Sequence, residues 1–274
     1  MKIVSKSLTY VIILSSILIF ISDLTAQIQP GARQNGLANS FVSIADDHWS
    51  PFYNSAGIAQ LNSRGIGVFY APSPFGMNEF ATGAISYHEP FSFGNIGVTA
   101  QTYGFELYRE NSFSITYANN FLQNFYAGIR VKYNSLSIQN YGNDSNFGID
   151  LGFLAHLSDV LKVGFSAVNL NRPTWGETKD KLPQIFRGGF SYLPLKNVLL
   201  GFEIEKDVRY PFNLKFGLEY NLLEMFALRF GYNNSPSKFA GGFGVSYSMF
   251  QINYAVSSHL DLGLTHLFGI DLKF

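Results

Sequence analysis

The chain has 274 residues with 19 acidic and 19 basic side chains, so its formal net charge is zero. Charged residues make up only 14% of it, against about 25% in ordinary soluble domains, while aromatics reach 16% through 27 Phe and 16 Tyr. Such a surface is a solubility hazard in water and suits a bilayer. The absent basic excess argues against nucleic acid as a partner, and the absence of Cys excludes lipoprotein processing, a disulfide framework and thiolate chemistry.

Residues 1–26 read as a cleaved secretory signal peptide. Lys2 and Lys6 precede an apolar run from Leu8 to Ile21, interrupted only by Thr9, Ser15 and Ser16, and Leu24-Thr25-Ala26 offers a cleavage site before Gln27. The competing reading, a membrane anchor, needs about 18 apolar residues or more. Nothing after residue 26 is apolar and long enough for a spanning helix. An exported chain of membrane-like composition without such helices points to a closed sheet.

Residues 27–62 do not alternate like a strand. Leu37, Phe41, Ile44 and Ala45 stand at helical spacing and predict a helix within 31–47. Asp46 and Asp47 then lie at the wrong end for the helix dipole, so they are expected to cap the next turn or pair with a lumenal Arg. Ser50 to Leu61 reads as a second short helical stretch that Asn54 or Ser55 can cap. Phe41, Trp49 and Phe52 need burial, and a barrel lumen is the place for it.

From residue 63 to 274 the pattern has period two, which places alternate side chains on opposite faces. Phe212, Leu214, Phe216, Leu218 and Tyr220 alternate with Asn213, Lys215, Gly217, Glu219 and Asn221. About 14 strands follow, the even number of a bacterial barrel. They are expected near 64–71, 79–88, 92–102, 111–119, 124–138, 145–157, 160–170, 184–193, 197–206, 212–221, 225–233, 238–248, 250–258 and 263–274. Phe125 with Tyr133, and Phe226 with Tyr232, bracket apolar centres as interfacial girdles do. A soluble β-sandwich would also alternate, but its outward face should carry Lys, Glu and Thr. If the first strand leaves the periplasm, the longer connections, such as 171–183 and 207–211, fall outside and the shorter ones inside. The fold class is therefore an all-β transmembrane antiparallel barrel bathed in outer-membrane lipid. Its last strand ends on Phe274, the aromatic terminus expected to signal to the barrel-assembly machinery.

Inward charges concentrate on the eighth to eleventh strands: Arg187, Glu203, Glu205, Lys215, Glu219 and Arg229. Their signs alternate, so they read as a satisfied lumenal network, with a selectivity ladder for a permeating solute as the alternative. His48, His88, His156, His259 and His266 are scattered and expected in turns or at interfaces. No Gly-x-Ser-x-Gly elbow, phosphate-cradling loop or metal-type His pair occurs. No catalytic residue, cofactor or metal is therefore expected.

Certain segments resemble a known family. Gly31-Ala32-Arg33, Ala38-Asn39-Ser40-Phe41-Val42, Ala45-Asp46-Asp47 and Tyr53-Asn54-Ser55-Ala56-Gly57-Ile58-Ala59 are similar to the start of PorV/PorQ proteins, and Gly263-Leu264-Thr265-His266 through Phe274 to their last strand. That family is in turn similar to FadL-type channels. The resemblance implies a 14-stranded barrel whose N-terminal segment forms a lumenal hatch, with Asn54, Ser55, Ala56 and Gly57 as the hatch motif. Ser55 stands where that motif usually has Pro. The implied function is a non-enzymatic accessory of type IX secretion that binds secreted cargo or secretion components. Trp175 in the 171–183 loop is then the expected protein contact, since an exposed Trp is a typical interface anchor, with a place at the lipid interface as the alternative. The alternative is a FadL-like channel taking up a hydrophobic ligand.

Overall fold

The computed structural model describes residues 28–274 apart from 177–178 and 260. The signal-peptide reading of residues 1–26 lies outside them. Fourteen strands close into one antiparallel barrel. They are β1 (Gly65–Ala71), β2 (Thr82–Phe91), β3 (Gly94–Gly104), β4 (Tyr108–Leu122), β5 (Phe125–Ile138), β6 (Gly142–His156), β7 (Leu161–Val168), β10 (Ile185–Leu195), β11 (Val198–Asp207), β12 (Asn213–Leu223), β13 (Phe226–Asn234), β14 (Ser237–Tyr247), β15 (Phe250–His259) and β16 (Gly263–Lys273). A short hairpin, β8 (Thr174–Trp175) with β9 (Asp180–Lys181), lies in the connection between β7 and β10. The sequence did not reveal it, because two residues are too few to alternate. Closure runs through β1 and β16, where Val68 faces Ile270. Closure gives each strand a neighbour on both sides, which a sheet in hydrocarbon requires.

Most expected strands agree with those observed to within a few residues. β4 is longer at both ends, because its pairing with β5 continues from Tyr108 opposite Ile138 to Leu122 opposite Phe125. β2 starts at Thr82, since residues 78–80 form a tight turn. One end of the barrel carries the brief connections 92–93, 123–124, 196–197, 224–225 and 248–249. The other end carries 72–81, 169–184 and 208–212.

The two faces differ as period two demands. On β16, Leu264, Phe268 and Ile270 are half exposed toward the lipid side, while Thr265, Leu267 and Asp271 are buried inward. The lumen is filled by the chain's own beginning. Ala32–Gly36 is a single α-helical turn, followed by 3-10 turns at Ser50–Phe52 and Ser55–Gln60. The helix predicted within 31–47 thus forms only at its start. Ala38, Asn39 and Ala45 adopt left-handed φ values of 51°, 61° and 37°, and the backbone N–H groups of Phe41 and Val42 donate to the Glu203 carboxylate at 3.1 and 2.9 Å. Wall chemistry replaces the helical ladder. Leu37, Phe41, Ile44 and Ala45 are nevertheless all buried, so their spacing marks the side turned to the core. Phe41 meets Tyr53 edge-on at 5.4 Å, and Trp49 packs on Phe52 and Phe69. Each such large apolar side chain contributes about 1.5–3 kcal/mol by leaving water.

Candidate functional site

The hatch is fastened to the wall at three places. The first lies on β5 and β6. Asn54 is extended at φ −151° and caps the following turn by accepting from the Ala56 N–H. Its amide donates to Val42 O at 2.7 Å and to Phe153 O at 2.9 Å. The neighbouring Ser55 hydroxyl donates to Gly128 O at 2.8 Å, a bond no proline there could make. Gly128 and Gly152 face each other across the two strands. A Cβ on Gly128 would stand 2.4 Å from Ser55 O, and one on Gly152 only 2.1 Å from Asn54 Oδ1. Glycine at these positions lets the hatch lie directly on the wall. Gly57, the last residue of the motif, is pressed likewise against Ala45 O.

The second fastening is ionic. Arg33 grips both oxygens of Glu219 at 2.8 Å and also donates to Asp46 at 2.5 Å and Asp47 at 3.1 Å. Burial alone would lower the proton affinity of Arg33, but Asp46, Glu219 and Asp47 more than reverse this and hold it raised. Glu219 accepts in turn from Arg229 at 2.6 Å, Arg229 donates to Asn253, and Asn253 donates to Asp271. Asp271 returns to the hatch by accepting from Trp49 Nε1 at 2.8 Å, with His48 Nε2 at the same distance. Asp47 also accepts from the Trp49 N–H at 2.9 Å, but the next helical turn, Ser50–Phe52, has no side-chain cap. The Arg paired with Asp46 and Asp47 thus belongs to the hatch itself.

The third fastening joins Glu203 to Phe41 and Val42. That carboxylate also takes Lys215 at 3.0 Å, and Lys215 and Arg187 both reach Glu205, at 2.8 and 2.7 Å. All six wall charges expected from the sequence therefore lie in paired clusters. A further cluster on β5 and β6 escaped notice, although its residues occupy the inward set of the same alternation. Lys132 bonds Asp150 at 2.8 Å. Arg130 donates to Pro51 O, Ser114 and Thr99 and stacks 4.6 Å over Phe52. Positive and negative groups interleave around the lumen, an arrangement suited to gripping a plug.

At the end with the long connections the character changes to apolar. The 72–81 connection folds inward and Phe75 is 9% exposed, in a left-handed conformation at φ 58°. Its N–H donates to Thr265 at 3.0 Å, its ring meets His259 edge-on, and the Lys238 ammonium stands 5.5 Å above it. Phe80 stacks on Tyr103 nearby, over a floor that includes Phe69, Ala84 and Leu267. Left-handed φ is unusual for a bulky side chain and persists only where its surroundings impose it.

Trp175 is half-buried in the small hairpin. Phe274 is exposed, and its N–H donates to Arg64 O. Of the histidines, His48 lies in a turn of the hatch, as expected, whereas His88 departs from expectation by sitting within β2 on its lumen-facing row; both are buried.

No family model and no curated protein matches this sequence. Solved structures do match in fold. The Ralstonia pickettii toluene transporter TbuX superposes with a TM-score of 0.68 at 10% identity, covering 89% of this chain and 98% of that one. The P. putida toluene transporter TodX gives 0.67 at 10% identity, covering 89% and 98%. A Pseudomonas aeruginosa FadL homologue gives 0.67 at 10% identity, covering 90% and 99%. At these identities the likeness is one of fold.

Proposed function

We propose that this protein is a non-enzymatic, FadL-like channel of a Gram-negative outer membrane that admits small hydrophobic molecules, with residues 27–62 as a hatch that must shift for passage through the barrel of residues 63–274. The observation that carries this reading is the apolar mouth. A porin for polar solutes has no need to seat Phe75, Phe80 and Tyr103 at its opening above Phe69 and Leu267. A hydrophobic solute that displaces the Phe75 ring finds an apolar floor beneath it, and the strained backbone of Phe75 lowers the cost of that displacement. The shared fold with toluene transporters supports the same class of solute. In this reading Glu203 and Glu219 on the wall, the latter through Arg33 of the hatch, hold the resting hatch, and Phe274 serves barrel assembly. The test is uptake of labelled toluene and labelled laurate by cells with and without the gene. Uptake of at least one probe should fall in the deletion strain, and equal uptake of both would remove the reading.

One observation favours a second reading. The hatch is held to the wall at three places, through Asn54 and Ser55, through Arg33, and through the N–H groups of Phe41 and Val42. A permanently stoppered barrel of this kind suits a PorV/PorQ-like accessory of type IX secretion that binds secreted proteins or secretion components at its rim, with Trp175 as the contact. Unaltered cargo secretion by Trp175→Ala would argue against that role.

A further inference from the structure

On the outward face of β5, β6 and β7 the row of large side chains is broken. Ala127 and Ala155 form a sunken floor, and Phe121, Phe125, Phe153 and Phe165 stand around it as walls. The register sets this out: Phe125 lies opposite Ala155, and Phe153 lies between Ala127 and Phe165. Ala155 is 8% exposed although it points outward, whereas Phe153 on the same row is 51% exposed. The cleft so made has a volume of about 470 Å³, within the range of about 300–1,000 Å³ usual for ligand sites. The inner face of the same strands carries Gly128, Gly152 and Gly164, against which the hatch backbone is pressed. One layer of backbone therefore separates the cleft from the hatch.

Its place decides what enters it. The cleft lies in the half of the wall nearest the brief connections 123–124 and 157–160, on the side that meets hydrocarbon, so membrane lipid rather than water fills it. A void there would cost its lining dispersion contacts. Lipid tails are as apolar as these side chains, so packing decides how long one of them stays. A single chain laid between four rings gains that packing. The adjoining rim adds a preference for the head group. Gln123, Asn124 and Ser158 are exposed and neutral, and Asp159 is an exposed carboxylate that enters no ion pair among the described residues. Within 119–125 and 153–165 the one Lys or Arg is Lys162, whose ammonium is drawn to Gln60 of the hatch at 2.9 Å. Such a rim disfavours an anionic head group and suits one that carries an ammonium.

We propose that this cleft binds one phospholipid of the surrounding membrane. One acyl chain lies over Ala127 and Ala155 between the rings. A zwitterionic ethanolamine head group sits at the rim, its phosphate toward the amides of Gln123 and Asn124 and its ammonium toward Asp159. The inference rests on the reading that the strands stand in a membrane, and it is independent of which solute or partner the barrel serves.

The test uses the whole protein, delipidated in detergent and titrated with phosphatidylethanolamine and with phosphatidylglycerol of identical chains, read by native mass spectrometry. One equivalent of the ethanolamine lipid should be retained, about two- to fivefold tighter than the glycerol lipid, as one exposed charge allows. Ala155→Phe fills the floor and should weaken both lipids by about tenfold or more. Asp159→Asn should erase the difference between the two lipids and leave the glycerol lipid bound as before. Gly188→Ala, with nothing within 4 Å of that position, should change neither. The proposal is overturned by any of four results: no lipid retained at one equivalent, Ala155→Phe binding like the parent, a preference for the glycerol lipid, or displacement of the bound lipid by toluene. The last would make the cleft part of a solute route. Flotation with liposomes separates the two levels of the inference. Protein that inserts but retains no lipid refutes the cleft alone, and protein that fails to insert refutes the membrane reading with it.

Discussion

Replacing Gly152 by alanine puts a methyl group 2.1 Å from Asn54 Oδ1 and 2.8 Å from the Ala56 nitrogen. Both neighbours belong to the hatch, so the hatch must move away from β6. The two bonds that tie this part of the hatch to the wall, from Asn54 to Phe153 O at 2.9 Å and from Ser55 to Gly128 O at 2.8 Å, are then lost. At about 0.5–1.5 kcal/mol net for each hydrogen bond, the seat weakens by about 1–3 kcal/mol. In hydrogen exchange read by mass spectrometry this corresponds to amides of residues 41–58 exchanging roughly five to a hundred and fifty times faster. The barrel strands should keep their protection. Gly188→Ala is the matched control: it adds the same methyl to the same barrel, but nothing lies within 4 Å of that position. If Gly152→Ala exchanges like the parent, or if both variants loosen the hatch equally, the idea that wall glycines seat the hatch is wrong.

Other outcomes follow from the same geometry. Arg33→Ala strands Asp46, Asp47 and Glu219 without their shared cation and should destabilise the hatch by about 3–5 kcal/mol, read as protease sensitivity confined to residues 28–62. Arg33→Lys should recover only part of this, because an ammonium cannot grip both Glu219 oxygens as a guanidinium does. Ser55→Pro should cost no more than about 1 kcal/mol in thermal denaturation, since it removes one bond to Gly128 O while the extended Asn54 already has the backbone a following proline prefers. Burial holds the Tyr53 phenol well above its ordinary 10.0. Its contribution to hatch stability is therefore intact below pH 10 and is lost as the pH rises further, which melting of the hatch between pH 8 and 11 would reveal. Phe75→Ala should speed toluene uptake by clearing the mouth, and a slower or unchanged rate would contradict the apolar-mouth reading.

The barrel was legible because period two survives every local irregularity, and because strands such as 212–221 keep Phe, Leu and Tyr strictly opposite Asn, Lys and Glu. The hatch was legible as something buried but not in its conformation. Helical spacing at Leu37, Phe41 and Ile44 is also the spacing of consecutive turns wrapped against a wall, and Glu203, far away in sequence, captures the backbone N–H groups that a helix would have used. Long-range pairing hid the rest. Arg33 and Glu219 are 186 residues apart, and nothing local marks them as partners. Arg130, Lys132 and Asp150 were visible as inward residues, yet their joint role depends on Pro51 O and Phe52 arriving from the hatch. His48 and His88 look isolated in the sequence, yet both rings pack beside Gly65 of β1.

The most direct test of the central claim is ion conductance of the reconstituted protein in planar bilayers, compared between the parent and the Arg33→Ala/Gly152→Ala double variant. A hatch that stoppers the lumen should leave the parent close to silent and give the variant frequent, long-lived openings. A parent that conducts as freely as the variant would mean that the barrel is open at rest and that its first residues close nothing.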